Sequence, residues 1–167
     1  MKFSSEEKKD IIKAWIIISI AFGILITENL FTFELITNFL ISFFTVGVGF
    51  LFHELAHKFL AQKYRYFAEF KADNKMLLIA IVSSFFGFLF AAPGGVQING
   101  GYNRKRFGEI AAVGPLMNIF LAIIFLVLDS FSSGIFKIVT SYGYNINSWL
   151  ALFNLIPISP FDGGMIL

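Results

Sequence analysis

Residues 35–60, LITNFLISFFTVGVGFLFHELAHKFL, decide how this chain is read. The first eighteen, Leu35 through Phe52, carry no charge, and His53, Glu54 and His57 then follow inside the same apolar run. A helix rises about 1.5 Å per residue, so about 20 such residues cross a hydrocarbon layer of about 30 Å. The stretch therefore reads as a membrane-crossing helix that carries ionisable side chains in its last turns. Residues four apart differ by about 400° of helical rotation, so His53 and His57 leave the same face one turn apart and can share one metal ion. Glu54 leaves a neighbouring face, placed to hold a water near that ion. Intramembrane ionisable groups are expensive and point to function by default, and these are the only two histidines in the chain.

The composition agrees with that reading. Of 167 residues, 57% are hydrophobic, 18% aromatic and only 14% charged, with a mean hydropathy of +0.76. Soluble domains are about 25% charged, so this chain has too few charges to coat a globule of its size. A disordered tail, a nucleic-acid-binding module and a disulfide-stapled secreted domain are excluded. A formal net charge of +2 signals no polyanionic partner. The absence of cysteine removes thiolate metal sites and cysteine nucleophiles.

Three further apolar stretches are long enough to cross: Ile11 to Thr27, Ile110 to Leu128, and a run from about Ile146 that meets Asn154, Pro157 and Pro160 and ends on Asp162-Gly163-Gly164. The prolines break the last of these, because each removes a donor and disfavours helix in the residue before it. The first has no cleavage site after it and reads as a retained anchor. A fifth run, Met76 to Ala92, is settled by positive charge. If it does not span, twelve of the thirteen basic residues lie on one side, Lys137 excepted. Residues 76–99 are thus expected to be a strand pair or re-entrant element at the cytoplasmic face, and 129–145 an external loop. The expected architecture is an all-α membrane protein, a multi-pass bundle of about four transmembrane helices with a small membrane-associated β-hairpin or sheet between the second and third. It forms one domain, 1–167, with 1–34 as anchor helix and turn.

Catalytic zinc usually takes three protein ligands and leaves a fourth place for water. With no further histidine and no cysteine, the third ligand must be a carboxylate. Most of the acidic residues sit in polar flanks or external turns, which leaves Asp162, 105 residues after His57. The other reading of Asp162 is a cap on a helix starting at Gly163.

His53-Glu54-Leu55-Ala56-His57, taken with Asn154-Leu155-Ile156-Pro157-Ile158-Ser159-Pro160-Phe161-Asp162-Gly163-Gly164, resembles the site-2 protease family of intramembrane zinc metalloproteases. The second string matches that family's N-x-x-P-x-x-P-x-D-G-G signature at every fixed position, and Gly114-Pro115-Leu116-Met117-Asn118 looks like its G-P-x-x-N element. The resemblance covers residues 35–167, the family's three-helix catalytic core. It implies one Zn2+ per chain held by His53, His57 and Asp162, Glu54 as general base, Asn118 near the reacting carbonyl, and a membrane-associated β element between the core helices. Family members commonly continue past D-G-G, so a chain ending at Leu167 reads as a truncated core.

The expected activity is hydrolysis of peptide bonds in or near transmembrane segments of membrane proteins. The partners are then a transmembrane substrate and the lipid bilayer, with no nucleic acid, and the location is the cell membrane with the active site toward the cytoplasm. Such a substrate must unwind locally, and an edge near Val96-Gln97-Ile98-Asn99 is placed to catch it by strand addition. Asn154 is expected to satisfy backbone groups freed by Pro157 and Pro160. Two other readings compete: a catalytically silent relative that binds transmembrane helices, and a metal transporter. A metal transporter has no use for Glu54 between the histidines, and a silent relative would usually have lost Glu54 or a ligand. No Ser pairs with an intramembrane Lys to support a serine enzyme.

Overall fold

The structure is a computed structural model that describes residues 1–89, 93–101 and 103–166. It is mostly helical. α1 (Ser5–Leu25) is followed by α2 (Glu34–Ser42), which passes through a π-helical turn, Phe43–Gly47, into α3 (Val48–Lys63). Then come β1 (Phe67–Ala72), α4 (Asn74–Ser84), β2 (Gly94–Asn99), α5 (Arg104–Asp129), α6 (Gly134–Asn154) and the single turn α7 (Gly163–Ile166).

Two of the described helices are long and apolar enough to cross a membrane: the continuous 30-residue helix Glu34–Lys63, which carries the His-Glu-x-x-His element, and Arg104–Asp129. α1 and α6 each have 21 residues, the length of a crossing, but are less uniformly apolar. α1 opens with Glu6, Glu7, Lys8, Lys9 and Asp10, and α6 intersperses Thr140, Ser141, Gly143, Asn145, Asn147 and Ser148 among its apolar residues.

Two local expectations are corrected. Residues 129–145 are not a loop, since only 130–133 separate α5 from α6. Ser130, Ser132 and Ser133 do lie in that short connection, but Gly134 and Gly143 lie on helix, and the buried Thr140, Gly143, Asn147 and Ala151 recur at helical spacing along one face. The strand pair does not lie within 76–99 either. Asp73 accepts the N–H groups of Lys75 and Met76 on its side chain and starts a helix there. The partner of β2 is therefore the earlier segment 67–72, which pairs with it antiparallel. Of the Met76 to Ala92 run, residues 90–92 lie outside the described residues.

The sheet is placed by α1. Ala14 and Ile18 of α1 pack with Val46, Phe70 and Leu77 in one buried cluster, and Ala61, Ala68 and Ile110 form a second beneath the sheet. The outer edge of β1 is covered group by group. Phe70 N–H donates to Glu7 Oε1 (2.8 Å), Ala72 N–H to Asp10 Oδ2 (3.2 Å), and Ala68 O accepts from Lys58 Nζ (2.9 Å). Lys58 also donates to both oxygens of Glu7, at 2.5 and 2.7 Å, and both residues are 2% exposed. The N-terminal helix is thus part of the fold, bolted to the sheet and to the helix that carries the histidines. At the π turn the Trp15 indole N–H reaches Phe43 O (3.2 Å), and the two rings stack at 4.3 Å. Around this core the surface is apolar: Phe44, Phe52, Phe85, Phe86 and, along α5, Leu116, Phe120, Ile123 and Val127 are all exposed. An apolar surface on that scale marks contact with lipid or with protein.

Candidate metal centre

His53 and His57 stand one turn apart on α3, as their spacing requires, and face α5. His57 Nδ1 lies 2.6 Å from Ile110 O, a carbonyl that can only accept. His53 Nδ1 lies 2.6 Å from Asn118 Oδ1, and the Nδ2 of that amide donates to Gly49 O (3.1 Å) and Asn147 Oδ1 (3.0 Å). Both Nδ1 atoms therefore carry the proton, and both Nε2 atoms present a bare lone pair. Histidines that bind a metal commonly give their other ring N–H to an oxygen in this way. Pro115 cannot join the hydrogen-bond ladder of α5 and interrupts it just beyond Ile110.

Asp162 arrives from the other end of the chain. After α6 stops at Asn154, residues 155–162 fold back through tight turns, among them Phe161 N–H to Ile158 O (3.0 Å). Only glycine fits next, because a Cβ at Gly163 would stand 2.4 Å from Ile156 O. Asp162 Oδ2 comes to 3.1 Å from His53 Nε2 and 3.3 Å from His57 Nε2, while the two Nε2 atoms are 3.0 Å apart. That oxygen is buried and has no hydrogen-bond partner among the described residues. Three buried lone-pair atoms this close repel unless a proton or a metal cation lies among them. Tetrahedral zinc with bonds of about 2.0–2.1 Å keeps its ligands about 3.3 Å apart, and the triangle is within a few tenths of an ångström of that. His53, His57 and Asp162 are accordingly a group that could hold a metal ion. Gly114 keeps the centre clear, since a Cβ there would lie 2.3 Å from His57 Nε2 and 2.7 Å from His53 Nε2.

Glu54 lines the same cavity, of about 350 Å³, together with the two histidines, Asn118 and Asp162. Its Oε2 accepts from Val96 N–H at 3.1 Å. That amide points away from β1, so the backbone of Val96 and of its alternate neighbours Gly94 and Ile98, all three lining the cavity, faces the histidines. The edge of β2 is turned inward while that of β1 is closed by α1.

All five site residues named from the sequence thus meet around one cavity. Asn118 is against His53, with its amide hydrogens already given to Gly49 and Asn147. Asn154 donates within its own helix, to Leu150 O (2.9 Å). Sequence reading missed Asn147, Ile110 O and Val96 N–H. Only Asn147 left a signal, its place four residues after Gly143 and seven before Asn154 on the buried face of α6.

Two relatives share most of the chain. A protein of Methanocaldococcus jannaschii named as a putative zinc metalloprotease is 42% identical over 133 residues, 77% of this chain and 70% of its own length. A second protein of that organism, named as a zinc metalloprotease, is 29% identical over 134 residues, 76% of this chain but 33% of its own length. No protein-family model and no solved structure matches.

Proposed function

This chain belongs to a family whose members are named as zinc metalloproteases, and from that premise we propose that it is an intramembrane zinc endopeptidase, hydrolysing peptide bonds in or near transmembrane segments. The observation that carries the reading is the convergence of His53 Nε2, His57 Nε2 and the unpartnered Asp162 Oδ2 within 3.0–3.3 Å. It lies beside Glu54, in a chain whose outer surface is apolar. Four crossings, α1, Glu34–Lys63, α5 and α6, with both ends in the cytoplasm, put Lys137 alone among the basic residues on the far side.

His53, His57 and Asp162 would hold the ion. When bound, zinc supplies Lewis acidity, bringing the pKa of a water to about 7 and polarising a carbonyl. Glu54 takes the proton of the attacking water on its carboxylate and returns it to the leaving amine. Val96 N–H holds the other side of that carboxylate, so the base is oriented by the strand that receives the substrate. A transmembrane helix hides its carbonyls in its own hydrogen bonds, so the scissile stretch must unwind. Gly94 and Ile98, on either side of Val96 whose N–H is given to Glu54, offer it a backbone edge to pair with. Asn118, its donors occupied, orients His53.

The test is metal content of the purified protein, with cleavage of a model transmembrane substrate, for wild type, Glu54→Gln and Asp162→Ala. The expected result is about one zinc per chain in wild type and Glu54→Gln, weakened zinc in Asp162→Ala, and cleavage in wild type alone. A wild type without zinc overturns the reading. Ile98→Pro, which removes one edge donor, should slow cleavage and retain zinc; unchanged cleavage would exclude strand addition.

A further inference from the structure

Behind the histidines, the buried amide that orients His53 is itself held by a second one, Asn147, which the proposed mechanism does not use. Asn147 Nδ2 donates to Gly143 O (2.9 Å), its Oδ1 accepts from Asn118 Nδ2 (3.0 Å), and Asn118 Oδ1 accepts from His53 Nδ1 (2.6 Å). Asn118 and Asn147 are fully buried, at 0% exposure. Every donor and acceptor has one direction only. Gly143 O can only accept, which turns the Asn147 amide; that amide, together with Gly49 O, turns Asn118, and Asn118 fixes the tautomer of His53. Space for the pair is made on the facing helix, where a Cβ at Gly49 would stand 2.5 Å from Asn147 Oδ1. A lone polar residue needed only to join two helices has no use for such a relay. Rotating either amide by half a turn would bring two acceptors or two donors together in a buried site, at a cost of several hydrogen bonds.

We infer that Asn147 is a positioning residue for the metal centre, acting through Asn118 to hold His53 Nε2 bare and aimed at the ion. It sits on α6, the helix that leads to Asp162. One side chain therefore couples the segment bringing the carboxylate ligand to the helix bearing the histidines. The inference rests on the zinc reading above.

The experiment is a zinc affinity titration against a chromophoric chelator on the full chain in detergent, for wild type, Asn147→Leu, Asn118→Ala and the double variant. Loss of a second-shell partner typically costs about 10–100-fold in metal affinity, and that is expected for each single variant. Because one acts through the other, the double variant should bind within about twofold of Asn118→Ala, whereas independent structural effects would multiply. Should Asn147→Leu not fold, Asn147→Ser makes the same comparison, its hydroxyl being too short to reach Asn118. A second readout is the 15N signal of His53 in the metal-free protein, expected as the Nδ1–H tautomer in wild type and as a mixture in the Asn147 variant. Wild-type affinity in the Asn147 variants, multiplying losses, or an unchanged tautomer would overturn the inference and leave the zinc reading standing. A wild type that binds no zinc would overturn both.

Discussion

Phe70 and Val96 face each other across the two-stranded sheet, and each gives its backbone N–H outward to a glutamate, Phe70 to Glu7 and Val96 to Glu54. One register position is therefore gripped from both sides, by α1 on one edge and by the proposed base on the other. The attitude of β2 over the cavity depends on a residue near the N-terminus.

Glu7→Ala should consequently act in two ways. It leaves Lys58 buried without its counter-ion, which for a broken buried pair costs about 3–5 kcal/mol, and it frees Phe70 N–H. A thermal melt in detergent should show the destabilisation, and cleavage should fall while bound zinc persists. The paired change Glu7→Met with Lys58→Met should recover much of the stability, because an apolar pair of similar volume is often no worse than a buried ion pair.

Gly114→Ala should abolish zinc binding while leaving the helix intact. Alanine is the better helix former by about 1 kcal/mol, but its Cβ would intrude to within 2.3 Å of one ligand atom and 2.7 Å of another. Zinc content should drop to background with helicity by circular dichroism unchanged.

Removing the metal with a chelator should stop cleavage without unfolding the chain. The ligands are held by Asn118, Ile110 O and the turns before Asp162, all of which remain without the ion. Circular dichroism should be unchanged and added zinc should restore activity. Affinity should fall as the pH is lowered, since both Nε2 atoms must be unprotonated to bind.

Arg65→Gly should stabilise the protein. Arg65 closes α3 with a φ of +65°, the left-handed conformation that glycine adopts freely. Relief of that strain, of about 1–2 kcal/mol for an L-residue, outweighs glycine's added freedom in the unfolded chain. A raised melting temperature with unchanged zinc content is the expected observation.

How much of this was legible beforehand follows from the kind of information each residue carries. His53, Glu54 and His57 were readable because a helix turns spacing into a face, and Asp162 because the chain holds so few other buried carboxylates. Asn118 was legible as a residue of the site, but what a side-chain amide bonds to is set by three helices at once. No spacing along one of them reveals that its oxygen meets His53. β1 was hidden because Phe67–Ala72 carries Glu69 and Lys71 and lies in a charged stretch, and its burial comes from α1, far away in sequence. The start of α6 was misplaced because Gly143, a turn signal in water, serves in close helix packing against Phe125 here.

The two edges of the sheet are not equivalent, and this governs how the protein can meet its own kind. An exposed strand edge is a template for pairing with another chain. Here three outward groups of β1, Ala68 O and the N–H groups of Phe70 and Ala72, are taken by Lys58, Glu7 and Asp10, so that edge is a poor template for a neighbouring copy. The edge of β2 instead opens into a cavity of about 350 Å³, room for an extended segment and not for a second folded sheet. On the proposed function, strand pairing is thereby directed to a guest inside the cavity and away from the face that α1 covers.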